Sequence, residues 1–394
     1  EVPPACCGFY DRDGLRLRRY WRLTDGEHTD TLEQTVERVR FLVTDAIRRQ
    51  LTADVPVCTF LSGGLDSSLI SSIADRCLRE RGQVLHTFSV DYVDNEKYFT
   101  RSHFQPNSDP DYIARMNDCL GAVHHRVVLD NEDVADALYA AVDARDLPGM
   151  ADVDSSLLLF CGKIKEHATV ALSGECADEI FGGYPWFHRP DMLAADTFPW
   201  SMDLTARTDV LRPELVKRLE LEDYVRSRYR ESVAETPRLD GESGAEARRR
   251  EIGWLNLNWF MTNLLDRKDR MSMYSGLEVR VPFCDHHLVE YVWNIPWEMK
   301  SRNGVRKQVL RDAARGILPE DVRNRPKSPY PKTHNPLFER LAKERLRGIL
   351  ADPNAPLHSL VDVEVLNDGL LKDAGDYGRP WFGQLMAGPQ MIAY

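Results

Sequence analysis

Two stretches of this chain set serine, glycine and acidic residues at spacings suited to gripping phosphate. The first runs Leu61-Ser-Gly-Gly-Leu-Asp-Ser-Ser68. The mostly apolar residues 55–60 ahead of it read as a buried strand, and Leu69, Ile70, Ile73, Ala74 and Cys77 after it recur at helical spacing. A strand, a glycine turn and a helix start make an anion site. Gly63 and Gly64 let the backbone approach closely, N–H groups point outward, and the helix dipole favours negative charge. Ser62, Ser67 and Ser68 add hydroxyl donors. The lysine of Gly-x-x-x-x-Gly-Lys-Ser/Thr loops is absent. The second stretch, Ser173-Gly-Glu-Cys-Ala-Asp-Glu-Ile-Phe-Gly-Gly-Tyr184, again follows an apolar run, residues 168–172. Glu175 and Asp178, three apart at a helix start, share one face. Beside a triphosphate at the first loop they suit a magnesium ion and a carboxylate substrate. A third stretch, Arg325-Pro-Lys-Ser-Pro-Tyr-Pro-Lys332, uses three prolines to stiffen a loop and fix Lys327.

The elements that must carry these loops follow in order. Thr31-Leu-Glu-Gln34 reads as a capping box, with Leu32, Val36, Val39, Val43 and Ile47 as the apolar face of a helix. Residues 84–90 and 124–129 read as further strands, and strand–helix–strand at this spacing implies a parallel, right-handed sheet. The polar and aromatic residues 94–110 follow a strand's carboxyl end, where such sheets place ligands. They include Asn95, Lys97, Arg101, His103 and Gln105, and read equally as a solvated or a substrate-contacting loop. Beyond about residue 190 the pattern turns to charged helices. Residues 236–250 read as an exposed excursion, 254–274 as a long helix, and Glu278 with Arg280 as a buried packing pair.

Composition bounds the function. The 394 residues suffice for two or three domains, and a net charge of −11 argues against nucleic acid as partner. No apolar run approaches the ~18 residues of a membrane span. The eight cysteines are scattered without paired Cys-x-x-Cys motifs, so zinc is not indicated and small core residues in a reduced, cytoplasmic setting are expected.

The first stretch resembles the pyrophosphate loop of enzymes that cleave ATP to AMP and PPi. Together with the second stretch, with Leu277-Glu-Val-Arg-Val-Pro-Phe-Cys-Asp285 and with the lysine loop, it resembles the synthetase half of glutamine-dependent asparagine synthetases. The resemblance implies an α/β fold: a five-stranded parallel sheet of the adenine-nucleotide alpha hydrolase (ATP pyrophosphatase) type with an added helical region. Residues 1–30 would be a linker remnant, 31–190 the ATP pyrophosphatase core, and 191–394 the helical region completing the site. Leu61 and Val90 would meet adenine through main-chain groups. Ser62, Gly63, Gly64, Asp66 and Ser67 would hold pyrophosphate, with Asp66 and Asp178 on magnesium. Ser173 and Gly174 would touch the nucleotide, Glu175 would support the acyl-adenylate step, and Lys327 would neutralise charge. Lys307 is a weaker correspondence.

The implied substrates are ATP, aspartate and ammonia, with a glutaminase domain or subunit as ammonia source; the large apolar content leaves room for a homodimer. Cys6 and Cys7 lack the terminal position and the β-rich domain that a glutaminase nucleophile needs. The same scaffold also serves β-lactam synthetases and peptide-macrocyclising enzymes, which use an internal amine. Glu175, where the β-lactam enzymes have tyrosine, favours asparagine formation. A tRNA-modifying pyrophosphatase would want a basic surface and paired cysteines, and a non-catalytic nucleotide-binding partner would not need Asp66, Glu175, Asp178 and Lys327 together.

Overall fold

The apolar runs that end at the two serine–glycine stretches lie side by side in one sheet. The structure is a computed structural model describing residues 2–99, 108–242 and 244–372. Arg101, His103 and Gln105 of the expected ligand loop fall outside the described residues. Two strands, β1 (Cys6–Asp11) and β2 (Gly14–Arg19), pair as an antiparallel hairpin. The main sheet holds β3 (Val57–Phe60), β4 (His86–Tyr92), β5 (Val123–Leu129), β6 (Val170–Leu172) and β7 (Glu278–Arg280). Its order is β5-β4-β3-β6-β7 and every pairing is parallel, as the sequence leads one to expect.

The chain steps outward from β3 to β4 and β5, then crosses back to place β6 on the other side of β3. That reversal opens a crevice at the carboxyl ends of β3 and β6, where sheets of this kind bind ligands. β6 is fully buried and β3 nearly so, because helices cover both faces. Alternate residues feed two apolar clusters: Val170 and Leu172 pack with one, Ala171 with the other. Each fully buried Leu or Ile in them contributes about 1.5–3 kcal/mol.

Helix α1 (Leu32–Gln50) begins with the expected capping box: Thr31 accepts from the Gln34 N–H while the Gln34 side chain accepts from the Thr31 N–H. Helix α2 (Leu65–Glu80) starts at Gly64 with no side-chain cap. Its first N–H groups are therefore open to a ligand.

Four sequence expectations need correction. The fifth strand, β7, comes from beyond residue 190, in the Leu277–Asp285 stretch that reads as a packing segment. There Glu278 and Arg280 do pair, at 2.6 Å, but the Glu278 side chain is 52% exposed, so the pair lies at the sheet edge and contributes little. Arg280 also donates to the carbonyls of Gln50 and Thr52, pinning the end of α1. The long helix begins at Gly244 rather than 254 and passes through a π-helical stretch, Asn256–Met261. Arg248 and Arg250 explain its reach: Arg248 donates to the Leu193 and Ala195 carbonyls and Arg250 pairs with Glu242 at 2.8 Å, so the supposed excursion is half-buried. Finally, Cys176 and Cys284, 108 residues apart, are disulfide-bonded with Cα atoms 5.8 Å apart. The other six cysteines are free.

The hairpin is the exception to burial. Phe9, Tyr10, Leu15, Leu17 and Tyr20 are all exposed, Tyr10 by 84%. Among the described residues no helix is long and apolar enough to cross a membrane.

Candidate active site

The glycine turn after β3 sets the geometry. Leu61 N–H donates to the Phe88 carbonyl, extending the sheet by one rung. Gly63 then takes φ +68, and a Cβ there would strike the Tyr112 backbone at 2.8 Å, so both conformation and space require glycine. Ser62 and Ser67 fold onto each other, their hydroxyls 3.0 Å apart. Ser68, expected as a third hydroxyl donor, is fully buried instead, because it falls on the inner face of α2.

The second bend lies against the first. Ser173 N–H donates to the Arg280 carbonyl, and a Cβ on Gly174 would sit 3.2 Å from both Asp66 Cβ and Ser67 N. Ser62 and Asp178 thus face one crevice rather than separate surfaces. Val90 is buried near the end of the neighbouring β4. The short helix Ala177–Phe181 carries Asp178, and Gly183 is small because Asp178 packs on it: a Cβ would fall 1.8 Å from Asp178 Oδ1.

Lys307 joins the two bends. Its Nζ lies 2.8 and 2.6 Å from the two oxygens of Asp66 and 2.8 Å from Asp178 Oδ1. Lys327 reaches the other oxygen of Asp178 and stands 4.8 Å over the Tyr184 ring. Burial pushes the Asp66 carboxyl up, against the pull of Lys307. For Asp178 burial pushes the same way, but Lys307 and Lys327 together outweigh it and hold the group below the usual carboxylate range. Burial would lower Lys307, and its two aspartates overcome that and raise it.

Asp178 Oδ1 is buried and has no partner in hydrogen-bonding alignment, although Lys307 is close. Among the described residues no group of three or more His, Cys, Asp or Glu side chains could hold a metal alone. Asp66 and Asp178 converge as hard oxygen donors on one cation, and magnesium is commonly held by one or two carboxylates plus substrate phosphates. The residues present fit that ion.

The lysine loop is fixed from beneath. Arg325, 2% exposed, pairs with buried Asp109, donates to the Ser62 carbonyl at 2.9 Å and stacks 4.2 Å over the Tyr112 ring. Asn95 holds the other end, accepting from the His334 N–H and donating to the Lys332 carbonyl. Part of the 94–110 stretch therefore supports the lysine loop.

These motifs now have counterparts in known proteins. A family model described as asparagine synthase matches residues 38–387. The chain belongs to the asparagine synthase family. It is 52% identical over 395 residues to asparagine synthetase (glutamine-hydrolyzing) 3 of Bacillus subtilis (strain 168), covering all of this chain and 64% of that protein. Asparagine synthetase (glutamine-hydrolyzing) 1 of the same organism is 29% identical, covering 89% of this chain and 58% of the relative. Amidase chry2 of Gibberella zeae is 26% identical, covering 76% and 52%. The chain thus spans somewhat over half the length of the curated family members it matches.

Two site residues carry more than the sequence assigned them. Lys307, a weak correspondence there, is the cation that links both bends. Lys268 was given no role, yet its Nζ lies 2.8 Å from Glu175 Oε1 and its side chain is 4% exposed. The signal for Lys268 was present: it lies four residues after Leu264 and three before Met271, on the same helix face. No local signal marked Lys307, one of ten Lys and Arg residues in the run 300–332.

Proposed function

We propose that this chain is the synthetase part of an ATP-dependent asparagine synthetase, an AMP- and PPi-forming carbon–nitrogen ligase. The β-carboxylate oxygen of aspartate attacks the α-phosphorus of ATP, the bond to the β-phosphate breaks, and pyrophosphate leaves. Ammonia then attacks the acyl carbon of β-aspartyl-AMP, the C–O bond to AMP breaks, a proton is released, and asparagine results. The observation that supports this reading is Lys307 spanning Asp66 and Asp178 where the two bends meet.

Two anions must meet in the first step, so cations have to stand on both. Ser62, Ser67 and the open start of α2 would hold the leaving pyrophosphate. Lys327, on a loop stiffened by prolines and locked by Arg325, would neutralise charge as the adenylate forms and again as it breaks. Magnesium, when bound by Asp66 and Asp178, supplies further phosphate neutralisation. Glu175 would support the acyl-adenylate as ammonia attacks it. Tyr184, beneath Lys327, would limit access of water, which hydrolyses the same intermediate.

The exposed apolar hairpin, with Phe9, Tyr10, Leu15, Leu17 and Tyr20, supports a partner covering that face. A glutaminase domain or subunit delivering ammonia is the proposed one, with the reaction placed in the cytoplasm. The relationship to an amidase keeps open a second reading, amide formation with an amine other than ammonia.

Aspartate should stimulate ATP–pyrophosphate exchange, and ammonium should then yield asparagine by mass spectrometry. Release of ADP instead of AMP overturns the adenylation mechanism. A product heavier than asparagine, formed from an added amine, selects the second reading.

A further inference from the structure

Lys268 lies on the buried face of the helix Thr262–Tyr274, beside Arg267, Met271 and Ser272. An enclosed ammonium needs a compensating charge and good geometry. Here the Nζ has Glu175 Oε1 at 2.8 Å and the face of Phe60 with its centre 4.6 Å away. Phe60 ends β3, two residues before Ser62. The other carboxylate oxygen of Glu175 accepts from Ser173 Oγ. Glu175 is thus gripped at both oxygens, by its own loop and by a helix 93 residues further along the chain.

Few other groups bear on this carboxylate. Cys161, from the helix Ala151–Lys165, and Tyr330, from the lysine loop, feel its charge, and Arg267 stands near Tyr330. Burial pushes the Cys161 thiol up to about 12 and the Tyr330 hydroxyl higher still, so both are neutral near pH 7. Burial also works to protonate Glu175, and Lys268, with help from Ser173, reverses that and holds the carboxyl below its ordinary range. Without the lysine, burial would be opposed mainly by one hydroxyl.

We infer that Lys268 is a positioning residue for amide formation: it keeps Glu175 an aimed carboxylate, able to accept from an N–H of the attacking amine. This rests on the proposed function and adds a division of labour to it. As the nitrogen lone pair forms the C–N bond, positive charge grows on nitrogen, and an ionised Glu175 stabilises it. The bond to AMP then breaks, its electron pair leaving on phosphate oxygen, and the surplus proton is released to water. A protonated Glu175 would present a donor to the donor-rich amine and fail. Adenylation depends instead on Lys307 and Lys327, so loss of Lys268 should divide the two half-reactions.

The test compares the wild type with Lys268→Met, Lys268→Arg and the double variant Lys268→Met/Glu175→Gln. Difference infrared spectroscopy at neutral pH reads the ionisation of Glu175 directly. A protonated-carboxyl band is expected in Lys268→Met, absent from the wild type and lost again in the double variant. Ammonium-dependent amide formation should fall about 100-fold in Lys268→Met. Its acid limb should move to higher pH, while aspartate-dependent pyrophosphate exchange stays near wild type. Lys268→Arg should restore most of the loss, and Lys268→Gln serves if the Met variant does not fold. An ionised Glu175 in Lys268→Met, or an equal loss in both half-reactions with unchanged pH dependence, overturns the inference. Failure of the wild type itself to exchange pyrophosphate with aspartate refutes the proposed function, and the infrared result still decides whether Lys268 sets the state of Glu175.

Discussion

Asp178 and Glu175 stand three residues apart after β6, yet they are held in opposite ways. Asp178 has two lysines: Lys307, which also binds Asp66, and Lys327, whose side chain is 26% exposed on a loop. Glu175 has one lysine, 4% exposed, set over an aromatic ring, and one serine. The first arrangement can rearrange at Asp178, since either of its cations can leave for a phosphate while the other still pairs it. The second is fixed, because moving Lys268 would leave a buried carboxylate unpaired. Cys176, between them, adds a covalent tie to Cys284 and takes φ +78, a conformation costly for a residue with a Cβ. In the proposed reaction, charge that must follow the chemistry sits where Asp178 has two partners, and charge that must keep one state is locked.

The contrast can be broken most severely at Lys307. Lys307→Met should leave Asp66 and Asp178 facing each other in a buried site, lowering stability by about 3–5 kcal/mol in urea unfolding. Asp66→Asn in the same chain should recover part of that loss, and a Met variant as stable as wild type would show that the aspartates do not depend on this lysine. Lys327→Ala should act on rate instead. Turnover should fall by about 10²–10³-fold with a nearly unchanged unfolding midpoint, because Lys307 still pairs Asp178. Near-normal turnover would return Lys327 to the solvated class.

The covalent tie is the next test. Cys284→Ser should cost about 2–4 kcal/mol in urea unfolding without reductant, and added reductant should destabilise the wild type but not the variant. Equal response to reductant in both proteins would remove the disulfide from the comparison. The smallest effect sharpens the contrast with a lysine that has no carboxylate in ion-pair range among the described residues. Burial and Arg250 push Lys300 down to about 7, against Glu246 and Glu242. Its folded value lies below the ordinary 10.5, so between these two pH values the unfolded chain binds more protons and stability rises with pH. Lys300→Met should remove that rise, measured as urea midpoints near pH 7 and about pH 9; an identical rise in the variant would assign it to other groups.

Much of the site was legible because its parts are local. The strand, the glycine turn and the start of α2 occupy one short stretch, and Gly63 at φ +68 is where that pattern requires glycine. Four strands of the main sheet were readable as apolar runs. The fifth was not: β7 is three residues long with charged ends, and only its pairing with β6 makes it a strand. Lys268 was missed because a lysine in a charged helix reads as solvated unless its face is traced through Leu264 and Met271. The cysteine pair was missed because neither residue has a spacing that names its partner.

By itself the sequence determined the two glycine turns and four of the five sheet strands, since these follow from side-chain periodicity and from glycine and proline over a few neighbouring residues. It also determined which residue types were on hand: two bends, three acids, a stiffened lysine. Only the tertiary structure decided which charges meet. Lys307 finds Asp66 across 241 residues and Lys327 finds Asp178 across 149. Such pairs depend on which helix faces pack together and on how completely water is excluded there. The same exclusion sets the charge each group carries, through a balance of desolvation against counter-ions that no local pattern encodes.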